Sequence, residues 1–193
     1  MNESLNGLIL CGGFSKRMQT DKAFLVHDGQ TFLERTAQLL EPYCRQVFLS
    51  IRKDQIEEPR FLGYQRIVDH PYWGQKGPIS GIISAMKAYP ENSWIVVAVD
   101  LPKLPSAALK KLTLSRDPLK LATAFRSTDS ARMPEPLCAV YEYEALSPLE
   151  QWMEEKGQTC PRKFLMNHDV KLIDQDQDDW LMNVNTPNDF NRL

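Results

Sequence analysis

Residues 8–11 form a continuous apolar run, Leu-Ile-Leu-Cys, that ends at Gly12 and Gly13. A run without alternating polar residues is typical of a strand that is buried on both faces at the centre of a parallel sheet. Residues 94–99 form the most strand-like run of the chain, and this run ends abruptly at Asp100. Because a parallel sheet needs covering elements on both of its faces, the two runs predict an α/β fold.

Helical patterns lie between the predicted strands. Thr31 and Glu34 have the spacing of a capping box, and an apolar helical face follows them. A second helix is predicted behind Gly77 and Pro78, where apolar side chains recur at helical spacing. We expect further strands at residues 46–51, 66–69, 121–125, 137–141 and 170–173, helices at 145–155 and after Thr186, and a polar mobile loop at 128–135. The alternation of strand and helix through residue 115 predicts a mostly parallel central sheet between two helical layers.

The size, charge and cysteines of the chain limit the range of functions that it can have. With 193 residues, of which 42% are apolar, residues 1–193 should form a single domain with one core. A net charge of −2 gives no basic field for nucleic acid or an anionic membrane, so any phosphate binding must come from a local site. The four cysteines lack zinc or redox spacing, and no signal peptide or membrane span is recognisable. We therefore expect a soluble, cytoplasmic protein with a small partner.

A glycine turn and three cations follow the first predicted strand. Gly12 and Gly13 let the backbone approach a ligand closely and turn its amides outward, which would make a nest for phosphate. Arg17 and Lys22 lie just beyond and supply a fork-shaped donor and a point charge that suit a polyphosphate. A simple tight turn with a solvated Lys16 is the alternative, because the segment matches neither of the two common glycine-rich phosphate motifs.

Two aspartates and two amides mark other predicted strand ends. Asp69 and Asp100 each close an apolar strand, so both carboxylates should project from the sheet edge that carries the glycine turn. Two acids beside phosphates need a divalent cation, and magnesium is commonly held by one or two carboxylates with substrate phosphates. For either aspartate alone, capping a turn is the simpler explanation. Asn183 and Asn185 alternate along a short predicted strand before Thr186, and a ligand role for Asn185 stays open at this point.

These motifs occur in the order of a known family. Around the glycine turn the chain reads LCGGFSKRMQTDKA, which resembles the first signature of the molybdenum cofactor guanylyltransferases, the MobA family of the nucleotidyltransferase superfamily. Further along it reads GPISGI after Asp69, VDLP around Asp100 and NVNTP near the carboxyl end, and these segments are similar to the next signatures of that family. The motifs cover most of the chain, and the first is the most specific.

The resemblance implies a Rossmann-like three-layer sandwich of the nucleotide-diphospho-sugar transferase type. It also implies an enzyme that binds GTP and magnesium, transfers GMP to molybdopterin and releases pyrophosphate, with transient contact to cofactor-biosynthesis proteins or molybdoenzymes. Carried over by position, the catalytic residues would be Arg17, Lys22 and Asp100, and the metal ligands would be Asp100 and Asn185. The nucleotide would contact Leu10, Cys11, Gly12, Gly13, Lys22, Ser50, Asp69 and Asp100.

Three positions depart from the family signatures. Cys11 replaces an alanine of nearly equal size, Gln19 replaces a glycine, and Ser50 stands where an asparagine that contacts the base often lies. Gln19 and Ser50 leave two alternatives open: a related nucleotidyltransferase that uses CTP or a sugar-phosphate acceptor, and a nucleotide-binding accessory protein without turnover. No serine or cysteine has the setting of a nucleophile, so we expect no covalent intermediate.

Overall fold

The computed structural model describes residues 5–13, 21–71, 76–128, 131–155 and 157–193. The first half forms strand β1 (Leu5–Leu10), the short hairpin of β2 (Val26–His27) and β3 (Gln30–Thr31), helix α1 (Phe32–Leu40), strands β4 (Val47–Ile51) and β5 (Gln65–Val68), and helix α2 (Pro78–Ala88). The second half forms strand β6 (Ser93–Ala98), helix α3 (Ser106–Leu114), strands β7 (Ala122–Arg126) and β8 (Pro134–Tyr141), helices α4 (Leu146–Glu154) and α5 (Pro161–Asn167), strand β9 (Lys171–Ile173) and helix α6 (Pro187–Phe190).

Seven of the described strands form one sheet in the order β5-β4-β1-β6-β8-β7-β9. β1 lies inside this sheet and pairs in parallel with β4 and β6. β8 pairs antiparallel with both β6 and β7, so within the described chain it is the one strand of this sheet that runs in the opposite direction. The prediction of a mostly parallel sheet is confirmed. The carboxyl ends of β1, β4, β5 and β6 therefore meet at one edge, where ligands bind in open α/β sheets.

Two apolar layers cover the sheet. One layer packs α1 and α3 against one face, with buried side chains that include Phe32, Leu40 and Leu109. The other layer packs α2, α4 and α5 against the opposite face, where Ile83 and Phe164 are buried. These layers make the predicted three-layer sandwich, and they explain why the central strands are apolar on both sides. Of the helices in the described ranges, none is both long and apolar enough to cross a membrane.

Side-chain caps confirm two predicted helix starts. At α1, Glu34 N donates to Thr31 Oγ1 at 3.1 Å, and Thr31 N donates to Glu34 Oε2 at 2.8 Å. The hydrogen bonds that Thr31 N and Thr31 Oγ1 donate to the Glu34 carboxylate lower its pKa. Thr186 caps α6 in the same way with Asp189. The Asp189 carboxylate also accepts a hydrogen bond from the backbone N–H of Asn185 at 3.0 Å. The cap of α6 therefore orients the backbone that carries Asn185.

Two local predictions are wrong. The loop predicted at 128–135 is two residues too long, because β8 begins at Pro134 and its first two residues belong to the sheet. Proline is tolerated there because the first residue of a strand need not donate to the ladder. Residues 183–185, all of them described, form no strand. The hydrogen bond from Val184 N to Asp100 O, 3.0 Å long, nevertheless holds this segment beside the end of β6.

Gly81 allows α2 to lie close to the strands beneath it. α2 begins after Gly77, whose φ of +84° lies in the region that favours glycine. A Cβ atom built on Gly81 would lie 2.2 Å from Ser50 Oγ and 3.0 Å from Leu10 Cδ2. Both distances are shorter than van der Waals contact, so a side chain at this position would push α2 away from β1 and β4.

We expect Gly81→Ala to lower the free energy of unfolding by roughly 1–3 kcal/mol through overpacking. The better helix propensity of alanine returns about 1 kcal/mol, but rotation of the Ser50 hydroxyl away from the clash would also break its hydrogen bond to Asp69. Urea unfolding followed by circular dichroism measures the difference. In a Ser50→Ala background the cost should be smaller, because the shortest contact is then 3.0 Å to Leu10. An equal cost in both backgrounds would contradict a clash at Ser50.

Candidate active site

The edge at the carboxyl ends of the parallel strands holds a cavity of about 260 Å³. The cavity brings together every predicted nucleotide contact, although these residues come from four strand ends and one intervening turn. They are Leu10, Cys11, Gly12, Gly13, Lys22, Ser50, Asp69 and Asp100. Arg17, predicted to be catalytic, and Gln19 lie outside the described residues.

Lys22 links the two predicted metal ligands. Its Nζ donates to Asp100 Oδ2 at 2.7 Å and to Asn185 Oδ1 at 2.7 Å. The side chains of Lys22 and Asp100 are only 15% and 18% exposed. Asp21 caps the short turn that carries the lysine by accepting from Ala23 N at 3.1 Å. One ammonium and two oxygens therefore converge at the end of β6, where Lys22 and Asp100 are largely buried and Asn185 is exposed.

Ser50 and Asp69 form a second polar group, at the ends of β4 and β5. Ser50 Oγ donates to Asp69 Oδ1 at 2.8 Å. Burial raises the pKa of the Asp69 carboxyl, while the Ser50 hydrogen bond and the charge of Arg52 oppose that rise. Asp69 Oδ2 lies against Gly12, where an added Cβ would be 3.3 Å away. Because Ser50 donates its only hydroxyl proton to Asp69, its oxygen can accept a hydrogen bond from a nucleobase but cannot donate one.

Sequence reasoning missed Arg52 and Gln55, which contact the glycine turn from the segment after β4. Arg52 Nη1 donates to the carbonyl oxygens of Gly12 at 3.1 Å and Gly13 at 3.3 Å. Gln55 Nε2 donates to Cys11 O at 3.4 Å. A signal for Arg52 was available, because it directly follows a parallel strand, as Asp69 does. Gln55 had no such signal, since it reaches the site through a turn that the sequence does not reveal.

Cys11 and the start of α2 complete the described part of the wall. Burial raises the pKa of the Cys11 thiol, and the carboxylates of Asp21 and Asp69 raise it further. The thiol therefore stays protonated at neutral pH, and a thiol is a poor nucleophile. Gly77 and Pro78 at the start of α2 also line the cavity, so the positive end of the helix dipole faces it.

Metal binding at this edge would need help from a substrate. No three His, Cys, Asp or Glu side chains lie together as a metal site in the part of the chain that the structure describes. Each predicted acid has its own partner, Ser50 for Asp69 and Lys22 for Asp100. A divalent cation would therefore rely on one carboxylate, a neighbouring amide oxygen and oxygens of the bound substrate.

A mostly parallel sheet with a glycine turn, a lysine and two aspartates around one edge cavity defines a nucleotide-binding protein of the Rossmann-like α/β class. Comparison with known proteins narrows this class. A sequence profile of the MobA-like NTP transferase domain matches residues 7–172, and the chain belongs to this family. The membership predicted from the sequence signatures is confirmed.

Curated relatives and a solved structure agree with this assignment. The molybdenum cofactor biosynthesis bifunctional protein of Synechocystis sp. is 35% identical over 190 residues, which are 98% of this chain and 53% of that protein, so this chain spans about half its length. A molybdenum cofactor guanylyltransferase of Shewanella sp. is 24% identical over 100% of this chain and 97% of its own. The crystal structure of molybdopterin-guanine dinucleotide biosynthesis protein A from Archaeoglobus fulgidus has a TM-score of 0.78 at 23% identity, covers 97% of this chain and 95% of its own, and shares the fold.

Lys22→Ala should weaken the binding of GTP about tenfold or more, because the variant would lack the charge-assisted contact to phosphate that is predicted for this lysine. Isothermal titration calorimetry measures the loss, and circular dichroism should show an intact fold. Lys87→Ala is the matched control, since Lys87 pairs with Glu150 at 2.7 Å near the opposite end of α2 from the cavity. Unchanged GTP binding by Lys22→Ala, or an equal loss in the control, would contradict a phosphate-binding role for Lys22.

Proposed function

We propose that this chain is a magnesium-dependent nucleotidyltransferase that transfers GMP from GTP to molybdopterin and releases pyrophosphate. The observation that carries the proposal is the convergence of the glycine turn, Lys22 and Asp100 on one cavity in a chain of the MobA-like family. The names of the two relatives support molybdopterin as the acceptor. The proposal treats residues 1–193 as one nucleotidyltransferase domain that acts in the cytoplasm and contacts molybdoenzymes or cofactor-biosynthesis proteins transiently.

Phosphate binding is the first task of the proposed site. The glycine turn, the Lys22 ammonium and the start of α2 all favour an anion and line the same cavity. The sequence signature assigns Arg17 to the same task, as a fork-shaped donor to phosphate oxygens. Together these groups would supply local positive charge for a triphosphate in a chain whose net charge is −2.

Asp100 and Asn185 have the chemistry of magnesium ligands. Mg²⁺ prefers oxygen ligands and is usually bound by one or two carboxylates together with substrate phosphates. The carboxylate and amide oxygens each lie 2.7 Å from Lys22 Nζ, so they already converge on one cation. This convergence supports the fit of both residues to the ion. Bound there, magnesium would neutralise charge on the phosphates as pyrophosphate leaves.

The transfer step needs orientation more than a proton acceptor. A terminal phosphate of molybdopterin has a second pKa of about 6, so it is already ionised near neutral pH. Its oxygen would form a bond to the α-phosphorus of GTP while the bond from that phosphorus to the bridging oxygen breaks and pyrophosphate takes the electron pair. Lys22 would hold the phosphates in line and stabilise the charge that develops on the leaving group.

The residue at position 50 leaves the nucleobase preference of the site to be tested by experiment. Its hydroxyl proton is donated to Asp69, so it cannot offer the paired donor and acceptor of the asparagine that the family often has. A related enzyme would use CTP or a sugar-phosphate acceptor, and an accessory protein would bind nucleotide without turnover. Release of pyrophosphate separates an enzyme from a binding protein, and the identity of the product separates the enzymes.

Incubation with GTP, magnesium and molybdopterin should yield molybdopterin guanine dinucleotide and pyrophosphate, as detected by mass spectrometry. Asp100→Asn should abolish metal-dependent turnover while GTP binding falls much less, because the metal chiefly stabilises charge during the transfer. Asp169→Asn is a matched control, since it removes a carboxylate from an exposed pair with Lys120. Full turnover by Asp100→Asn, or a product without guanine, would contradict the proposal.

We expect GTP to bind more tightly than ATP or CTP. Guanine presents ring and amino N–H donors beside a carbonyl acceptor, and these donors suit the largely buried carboxylate of Asp69. Adenine would leave such buried groups unpaired, at roughly 1–3 kcal/mol for each group. Calorimetry with the three nucleotides in magnesium buffer measures the preference, and tighter binding of CTP than GTP would favour the cytidylyltransferase alternative.

A further inference from the structure

Three consecutive carbonyl oxygens after β1 accept hydrogen bonds from the segment that follows β4. Gln55 Nε2 donates to Cys11 O, and Arg52 Nη1 donates to both Gly12 O and Gly13 O. In an extended strand, successive carbonyl groups alternate between the two neighbouring strands. Three in a row toward the same side therefore require the backbone to turn at the glycines, and the two donor side chains mark the direction of that turn.

The turn has a consequence for the amides on its other side. The described chain has no cis peptide bond, and in a trans peptide the C=O and N–H groups point in opposite directions. Each C=O is opposed to the N–H of the following residue, so the N–H of Gly12 points away from Gln55, which bonds Cys11 O, and the N–H of Gly13 points away from Arg52, which bonds Gly12 O. Both N–H groups thus point away from the segment that follows β4, and β4 lies on the opposite side of β1 from β6. Successive N–H groups that face the same way form an anion-binding nest.

The guanidinium group of Arg52 is itself held in place. Arg52 Nε and Nη2 donate to the two carboxylate oxygens of Asp54, both at 3.0 Å. This fork-to-fork pair orients the planar group and directs Nη1 at the glycine turn. Arg52 N also donates to Gln55 Oε1 at 2.9 Å, which turns Gln55 Nε2 toward Cys11 O.

Gln55 also contacts the short helix that carries Lys22. Gln55 is 6% exposed, and its Nε2 also donates to Asp21 Oδ2 at 2.8 Å. Asp21 in turn caps the short helix that begins at Lys22. One buried amide therefore connects the end of β1 to the base of Lys22, so the glycine turn and the lysine share a common support.

We propose that Arg52, oriented by Asp54, is a positioning residue for phosphate binding. It acts on the substrate through the glycine turn: its bond to Gly12 O turns the amide of Gly13 toward the phosphates, and Gln55, which Arg52 N orients, holds Cys11 O and so turns the amide of Gly12 the same way. This inference rests on the proposed function, because it takes the anion in the nest to be the phosphate chain of a nucleoside triphosphate.

Arg52→Met should weaken GTP binding about tenfold and raise the KM for GTP more than it lowers kcat, while guanosine, which has no phosphate, should bind as it does to the wild type. Arg52→Lys should stay impaired, because an ammonium cannot bond Asp54 and both carbonyls as a planar fork does. The matched control is Arg60→Met. Arg60 pairs with Glu58 through two hydrogen bonds of 2.7 and 3.0 Å, as Arg52 does with Asp54. The Arg60→Met variant should bind GTP as tightly as the wild type.

Asp54→Asn separates positioning from direct contact with phosphate. The variant keeps the charge of Arg52 and removes the carboxylate that orients it. A positioning role predicts weaker GTP binding, whereas direct contact predicts unchanged or tighter binding because a negative charge has been removed. Calorimetry with GTP and with guanosine, together with urea unfolding of each variant, provides the measurements.

Three results would overturn the inference: normal GTP binding by Arg52→Met, an equal loss of GTP and guanosine binding in that variant, or undiminished GTP binding by Asp54→Asn. These results are distinct from failure of the proposed function. If the wild-type protein neither binds GTP nor releases pyrophosphate, the proposed function fails. If it does both and Arg52→Met is unaffected, only the positioning role is lost.

Discussion

The parallel pairing of β1 with β4 on one side and β6 on the other determines where the chemistry of this protein lies. Parallel strands end at the same edge, so the residues that follow them become neighbours although the crossover connections separate them widely in sequence. Lys22 and Asp100 are 78 residues apart, and Lys22 and Asn185 are 163 apart. The two apolar layers stabilise this pairing because they remove both faces of the central strands from water.

Among the described residues, each charged group that lines the cavity has a protein partner. Lys22 contacts Asp100, Asp69 accepts from Ser50, and Arg52 pairs with Asp54. Such pairing lowers the cost of holding charges in a partly buried site, since an isolated buried charge is strongly disfavoured. A phosphate chain must therefore replace part of these contacts with its own. The glycine turn differs from these charged groups because only its carbonyl oxygens are bonded to side chains that the structure describes. In the proposed arrangement its amide groups face the cavity and can bind phosphate without losing a protein contact.

Local signals in the sequence predicted much of the fold. The capping boxes at Thr31 and Thr186 and the apolar runs of β1 and β6 act over a few residues, so their effects can be read directly. The reversed direction of β8 could not be predicted in the same way, because an apolar strand has the same pattern in either direction. The β2–β3 hairpin had a signal in the dipeptide Asp28-Gly29, whose φ angles of +50° and +79° suit a tight hairpin turn.

The sequence by itself determined the fold class, the family, and the residue types at the ends of β1, β4, β5 and β6, because strand burial and short motifs are encoded locally. Only the tertiary structure decided which of those residues meet. It brought Lys22 to Asp100 and Asn185, turned the Ser50 hydroxyl toward Asp69, and added Arg52 and Gln55 to the site. The physical reason is that hydrogen-bond partners across a sheet edge depend on strand order and side-chain direction, and neither is written in the sequence of any one segment.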